Sequence, residues 1–221
     1  MWRLFHQTLC PFSRTVRLVI GERRLAYELI EVGPDGETRP ARTGYRNTLP
    51  RLCDPVRNIT LTGSWSICEY LDETAPGPCM LIGAAEQRAE IRRLVAWADQ
   101  SFYEQVTQPA LSARLPGWAN RRTRIEGSLA SASRHADDLL DELEGLLDRR
   151  TWLAGPTISL ADLAIAAQIS VADYLSVIDW SGHSHAHIWY SVIKSRRSFQ
   201  PLLVDRVEGV VPPFHYTRID G

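Results

Sequence analysis

Apolar residues come in short blocks over the first third of the chain and at helical intervals over the rest, and the pattern changes once, near Pro76-Gly77-Pro78. Trp2 to His6 is a short apolar run that predicts a strand. Ser13 to Arg24 places Val16, Leu18, Val19 and Ile20 at helical spacing, and Tyr27 to Val32 predicts a second strand. Together these make a βαβ unit. Pro50 to Cys53 and Asn58 to Leu61 predict two further strands joined by the turn Asp54-Pro55-Val56-Arg57, and Ser64 to Thr74 predicts a closing helix. The stretch from Gly33 to Asn47 predicts no clear element.

After Pro76 the chain is almost wholly helical. Ile91, Leu94, Val95, Ala98, Phe102 and Val106 repeat every three to four residues, a helix that Pro109 is expected to stop. A further helix is expected from about Ile125 to Leu147. The next opens with Ser159-Leu-Ala-Asp162, a capping-box pattern in which serine caps the N3 amide and the aspartate reaches back to Ser159. Leu163, Ala166, Ala167, Val171, Tyr174 and Leu175 then mark it as the buried centre of an α domain. The order βαβ then ββα predicts a thioredoxin-like N-terminal domain over 1–75, followed by a linker over 76–83, an all-helical domain over 84–205 and a tail over 206–221. The fold class is α/β plus all-α.

Composition narrows the function. With 221 residues, 44% of them hydrophobic, the chain can bury about two thirds of its unfolded surface. Its 25 basic and 26 acidic residues give a net charge of -1, which argues against a dedicated nucleic-acid binder. No apolar run is long enough to span a membrane, and Met1 to Gln7 lacks the apolar core of a secretory signal, so a cytoplasmic location is expected. Only Lys194 is lysine; the other basic residues are arginine. The segment from Glu126 to Asp148 is acidic, whereas Arg114, Arg121, Arg122 and Arg124 form a basic group; both suit solvated faces.

Several residues carry candidate chemistry. Cys10 lies where strand one gives way to helix one, in Cys10-Pro11-Phe12-Ser13; the helix dipole and free amides there would lower its pKa. With Ser13 in place of a second cysteine, dithiol cycling is not expected and only monothiol chemistry through a mixed disulfide is open. Cys53, Cys68 and Cys79 form no CxxC pair with it, and reduced thiols are expected. Pro50 opens a strand and leaves the backbone of Leu49 free for a ligand. Ser64, after Gly63 at a strand-to-helix turn, offers a hydroxyl and a helix N-terminus to a carboxylate, or serves as an ordinary N-cap. His183, His185 and His187 alternate, but no further ligands complete a site, and no metal is expected.

Taken in order, Leu9-Cys-Pro-Phe-Ser-Arg-Thr-Val-Arg, Leu49-Pro50, Gly63-Ser-Trp-Ser-Ile-Cys-Glu-Tyr-Leu71 and Trp152-Leu-Ala-Gly-Pro-Thr-Ile-Ser-Leu-Ala-Asp162 resemble the glutathione S-transferase superfamily over nearly the whole chain. The resemblance implies a cis Leu49–Pro50 bond whose leucine backbone pairs with glutathione, Ser64 on the γ-glutamyl carboxylate, and Cys10 at the catalytic position of cysteine-type members. Gly63 departs from it, since an acidic residue usually precedes the serine; the missing charge-assisted contact is typically worth about 1.5–3 kcal/mol. Arg92-Arg-Leu-Val-Ala-Trp97, Ile193-Lys-Ser-Arg-Arg-Ser-Phe-Gln-Pro-Leu-Leu-Val-Asp-Arg206 and Pro212-Pro-Phe-His-Tyr216 resemble the alphaproteobacterial FtsZ-localised protein A branch, with Arg197 where proline is usual. That likeness implies a homodimeric adaptor at the division site, with Pro212, Pro213, His215, Tyr216 and Arg218 meeting FtsZ filaments. The rival expectation is a glutathione-dependent thiol transferase that uses Cys10, with glutathione as cosubstrate.

Overall fold

The computed structural model describes residues 1–33, 49–115 and 129–218. Strand β1 (Trp2–His6) leads into α1 (Pro11–Glu22), β2 (Tyr27–Glu31), β3 (Arg51–Asp54), β4 (Ile59–Thr62) and α2 (Ser64–Thr74). The sheet runs β2-β1-β3-β4. β1 lies parallel to β2, with Leu4 opposite Leu29, and antiparallel to β3, with Leu4 opposite Leu52. Asp54 makes the β3–β4 turn by accepting the amides of Val56 and Arg57 at 3.0 and 3.2 Å. This is the thioredoxin-like layer that the pattern predicts. α1 begins two residues earlier than expected because Pro11 fits the first helical position, where no amide partner is lost.

The helical part comprises α3 (Ala85–Trp97), a π-helical segment over Ala98–Thr107, α4 (Gln108–Arg114), α5 (Leu129–Leu147), α6 (Leu160–Tyr174), α7 (Ser184–Lys194) and the short α8 (Gln200–Leu203). Pro109 does not stop the helix. It falls in the first turn of α4, directly after the wider π turns, where the missing amide and the bulk of the ring are tolerated. The start expected at Ile125, with Arg121, Arg122 and Arg124, lies outside the described residues.

Helix α6 is buried along its whole length, and its first carboxylate is matched to partners. Asp162 accepts the amides of Ser159 and Leu153, both at 2.9 Å, and the indole N–H of Trp189 at 3.0 Å, which closes the capping box and ties in α7. α1 packs directly on α6, so the helix that carries Cys10 rests on the most buried element of the protein.

Beyond α8 the chain does not trail away. Residues Asp205 to Thr217 form a strap closed by a bridge between Val207 and Val210 and ending in a 3₁₀ turn over Phe214–Thr217. Tyr216 is fully buried, its ring edge-on to Tyr174 at 5.2 Å. Among the described residues no helix is long and apolar enough to cross a membrane.

Candidate functional site

Three loops converge at the edge where the sheet meets the helical part. The first ends β1 and presents Cys10 as the N-cap of α1, with the Cys10 amide turned onto the carbonyl of Gln7 at 3.1 Å. The second holds Leu49–Pro50 as a cis peptide. The third is the β4–α2 turn, where Gly63 takes φ +86° and ψ 134°, a region that L side chains rarely adopt. Gly63 therefore holds a backbone that an acidic residue would occupy only under strain. Its amide donates to the Pro50 carbonyl at 3.2 Å, which sets the proline loop against the start of α2. Gly63 is the N-cap, so Ser64 is the first helical residue rather than the cap, and it is buried.

The helical part supplies two residues that the sequence reading missed. Asp99, in the π segment, interacts with the side chains of Ser64 and Gln168, and burial pushes its carboxyl up to about 6 against those two hydrogen bonds. Its signal in the sequence was a lone carboxylate beside the apolar stripe of Val95, Ala98 and Phe102. Tyr103 packs against Phe12 with ring centroids 4.7 Å apart and lies close enough to Cys10 to feel its charge.

Burial pushes the Cys10 thiol above its ordinary value, and the amides of Ser13 and Phe12 at the start of α1 only partly offset it. The expected thiolate-favouring shift is thus reversed: the amides are in place, but desolvation is larger and the negative field of Asp99 adds to it. Ser13 is fully buried beneath the thiol. Cys68, one turn beyond Ser64, is also buried, and burial holds it protonated, with the charge of Asp99 adding to the effect. The cleft thus offers the start of α2 at Gly63 and Ser64 for an anion, a carboxyl raised to about 6, and a protonated thiol.

The comparisons with known proteins fit this geometry. Residues 4–79 match the glutathione S-transferase N-terminal domain family. FtsZ-localized protein A from Caulobacter vibrioides is 35% identical over 98% of this chain and 97% of its own. The chain belongs to the glutathione S-transferase superfamily. Among solved structures, FzlA from C. crescentus is 34% identical, covers 100% of this chain and 99% of its own, and has a TM-score of 0.89. A glutathione S-transferase from Rhodospirillum rubrum F11 is 35% identical, with 100% of both chains covered and a TM-score of 0.89. More distant glutathione S-transferases of the same fold have been solved with glutathione or glutathione sulfonate bound.

In this member of the superfamily the cis Leu49–Pro50 bond, Gly63 and Ser64 come together as the resemblance implied, with Cys10 facing the same side of the π segment. The tail residues divide. Tyr216 points into the protein, and His215 is held to Asp173 at 2.8 Å, so these two serve the fold; Pro212 and Pro213 are half-buried, and Arg218 is exposed beside an exposed Phe214. The three alternating histidines disperse: His183 bonds Asp137 at 2.7 Å, His185 pairs with Glu144 at 2.9 Å, and His187 stacks on Trp180. Among the described residues no group of three His, Cys, Asp or Glu side chains is placed to hold a metal ion.

Proposed function

We propose that this protein is a glutathione-S-transferase-like cell-division adaptor that binds FtsZ filaments as a cytoplasmic homodimer at the division site. The observation that carries the reading is the match to FtsZ-localized protein A, which runs the length of both chains. The cleft supports it. Gly63 supplies no carboxylate, and the Cys10 thiol is shifted away from the thiolate that transferase chemistry needs. The exposed part of the strap, with Val211, Phe214 and Arg218, is the surface offered to a partner.

The test is co-pelleting of micromolar protein with GTP-assembled FtsZ from the same organism. Removing the tail would unseat Tyr216, so the comparison is with Val211→Ser/Phe214→Ser, which changes only exposed side chains. Wild type is expected to pellet with the filaments and the double variant to stay largely in the supernatant. Wild type left in the supernatant overturns the adaptor reading.

A second reading, a glutathione-dependent thiol transferase acting through Cys10, is favoured by one observation: the Leu49–Pro50 loop set against the start of α2 by the Gly63 amide on the Pro50 carbonyl at 3.2 Å. Leu49 would pair with the glutathione backbone and Ser64 would take its γ-glutamyl carboxylate. A calorimetric titration with glutathione decides it, since no heat of binding at millimolar ligand would remove this role.

A further inference from the structure

The underside of α1 holds a buried polar cluster that neither functional reading uses. Arg14 is fully buried, one helical turn after Cys10, and its backbone amide donates to the Cys10 carbonyl at 3.0 Å. Its guanidinium is divided between two parts of the protein. Nε donates to the carbonyl of Thr8, two residues before the thiol, at 2.9 Å. Nη1 donates to Ser170 of α6 at 2.9 Å and to the Tyr216 hydroxyl at 3.0 Å, while Nη2 reaches Asp205 at 3.3 Å. Asp205 also takes Arg17 through both oxygens at 2.8 and 3.0 Å, and the Tyr216 hydroxyl donates onward to the Leu202 carbonyl at 3.2 Å. One planar cation thus grips both the loop that presents the thiol and the strap that presents the exposed apolar residues.

We propose that Arg14 is a positioning residue that couples the C-terminal strap to the Cys10 loop, so that whatever engages or loosens the strap changes the reactivity of Cys10. A guanidinium is rigid and planar, and its donors cannot be re-aimed independently. Losing a strap partner therefore shifts the whole group, and the hold on the Thr8 carbonyl slackens with it. The thiol is only partly exposed, and a looser loop gives it water and reagent. The same contacts run the other way: a group attached to the Cys10 sulfur would press on the loop that Arg14 holds at Thr8 and so loosen the strap.

The experiment follows alkylation of the full-length protein by iodoacetamide, read cysteine by cysteine by mass spectrometry, in wild type and in Tyr216→Phe. That variant keeps the buried ring and removes only the hydroxyl that meets Arg14. Two other thiols serve as internal references: Cys79 is exposed and bonds Asp72 and Leu81, outside the cluster, and Cys68 is buried and reports general opening. Cys10 is expected to react at least fivefold faster in Tyr216→Phe, with the midpoint of its pH–rate profile lowered and both references within twofold of wild type. An unchanged Cys10 rate overturns the proposal. So does a joint rise of Cys10 and Cys68, which would mean ordinary destabilisation. The reciprocal arm blocks Cys10 with N-ethylmaleimide and measures amide exchange over 205–217; faster exchange there supports the coupling, and unchanged exchange overturns it.

Discussion

The two sides of α1 treat polar groups in opposite ways. On the cleft side, at its N-terminus, the Cys10 thiol is held above its ordinary pKa and the nearby Asp99 carboxyl is raised to about 6, both chiefly through burial. On the strap side the buried guanidiniums are paired: Arg14 has four partners and Asp205 takes two guanidiniums, although Arg17 Nε, Asp173 Oδ2 and the Tyr190 hydroxyl are left without a hydrogen-bond partner. Burying a charge costs little when its partners are preorganised and a great deal when they are absent. The molecule therefore holds its C-terminal strap through paired guanidiniums and leaves the cleft in a state that an incoming partner for Ser64, Asp99 or Cys10 would relieve. A fold kept for its surface needs the first feature, and a ligand site needs the second.

The largest break in this comparison comes from Asp205→Ala, which leaves Arg14 and Arg17 buried without their carboxylate. Removing one partner of a buried ion pair typically costs about 3–5 kcal/mol, and that loss is expected as a lower urea midpoint. A cost below about 1 kcal/mol would mean that the guanidiniums find other acceptors and that the strap is not held by this cluster.

The strap side was also the part least legible in the sequence. The sheet, α2 and the capping box of α6 could be read because their signals are local: alternating apolar runs, and Ser159 three residues before Asp162. The proline loop, Gly63 and Ser64 stood out through the family resemblance. Arg14 and Arg17, by contrast, enter the sequence pattern only as members of the Leu9–Arg17 motif, with no role of their own, since their partners Tyr216 and Asp205 lie 202 and 188 positions away. For the same reason the tail was read as a separate segment, although Tyr216 is a core residue. Pro109 misled because a proline forecasts a break only against α-helical geometry, and the π segment that accommodates it leaves no pattern in the residues themselves. The expected lowering of Cys10 rests on the helix N-terminus alone and leaves out desolvation, which comes from the packing of the helical part, and the charge of Asp99.

Asp99→Asn sharpens the cleft side with a smaller effect of opposite sign. The folded-state pKa is raised from 3.8 to about 6, so between those values the folded protein keeps a proton that the unfolded chain has released. Stability therefore falls as pH rises through that window, and the full penalty is present above it. Asparagine removes the penalty while keeping an amide for Ser64 and Gln168. The variant is expected to be about 1–2 kcal/mol more stable than wild type at pH 7.5, less than the full shift implies because Asp99 is not completely buried, and nearly equal to it at pH 4. Denaturant titrations at the two pH values check this. A variant less stable than wild type at pH 7.5 would show that the ionised carboxylate is matched by a partner, and the contrast between the two sides would disappear.

The smallest expected effect concerns the rim of the strap, where His215 meets the buried Asp173. The hydrogen bond to that carboxylate raises the imidazole above its usual value of 6.5, with partial burial opposing and the charge of Asp173 adding to the rise. For a raised histidine the contribution to stability is complete below the unfolded pKa and is lost as pH rises through the folded one. The other groups facing this pair are Lys194, which donates to the His215 carbonyl at 3.1 Å and whose own pKa is lowered by burial, and the buried hydroxyl of Tyr190, which burial and the charge of Asp173 keep protonated. Because His215 is nearly half-exposed, the loss on raising pH from 6 to 9 is expected to stay below about 1 kcal/mol. His215→Gln should flatten that part of the pH–stability curve and leave the window from pH 4 to 6 untouched; there Asp99 lowers stability as pH rises while the buried His6, held down to about 4, raises it, and Asp99→Asn should remove only the first contribution. If His215→Gln keeps the wild-type slope above pH 6.5, the strap is held by Arg14, Asp205 and Tyr216 without help from its rim. The two sides of α1 would then differ in how fully their polar groups are paired but not in the pH range over which each one yields.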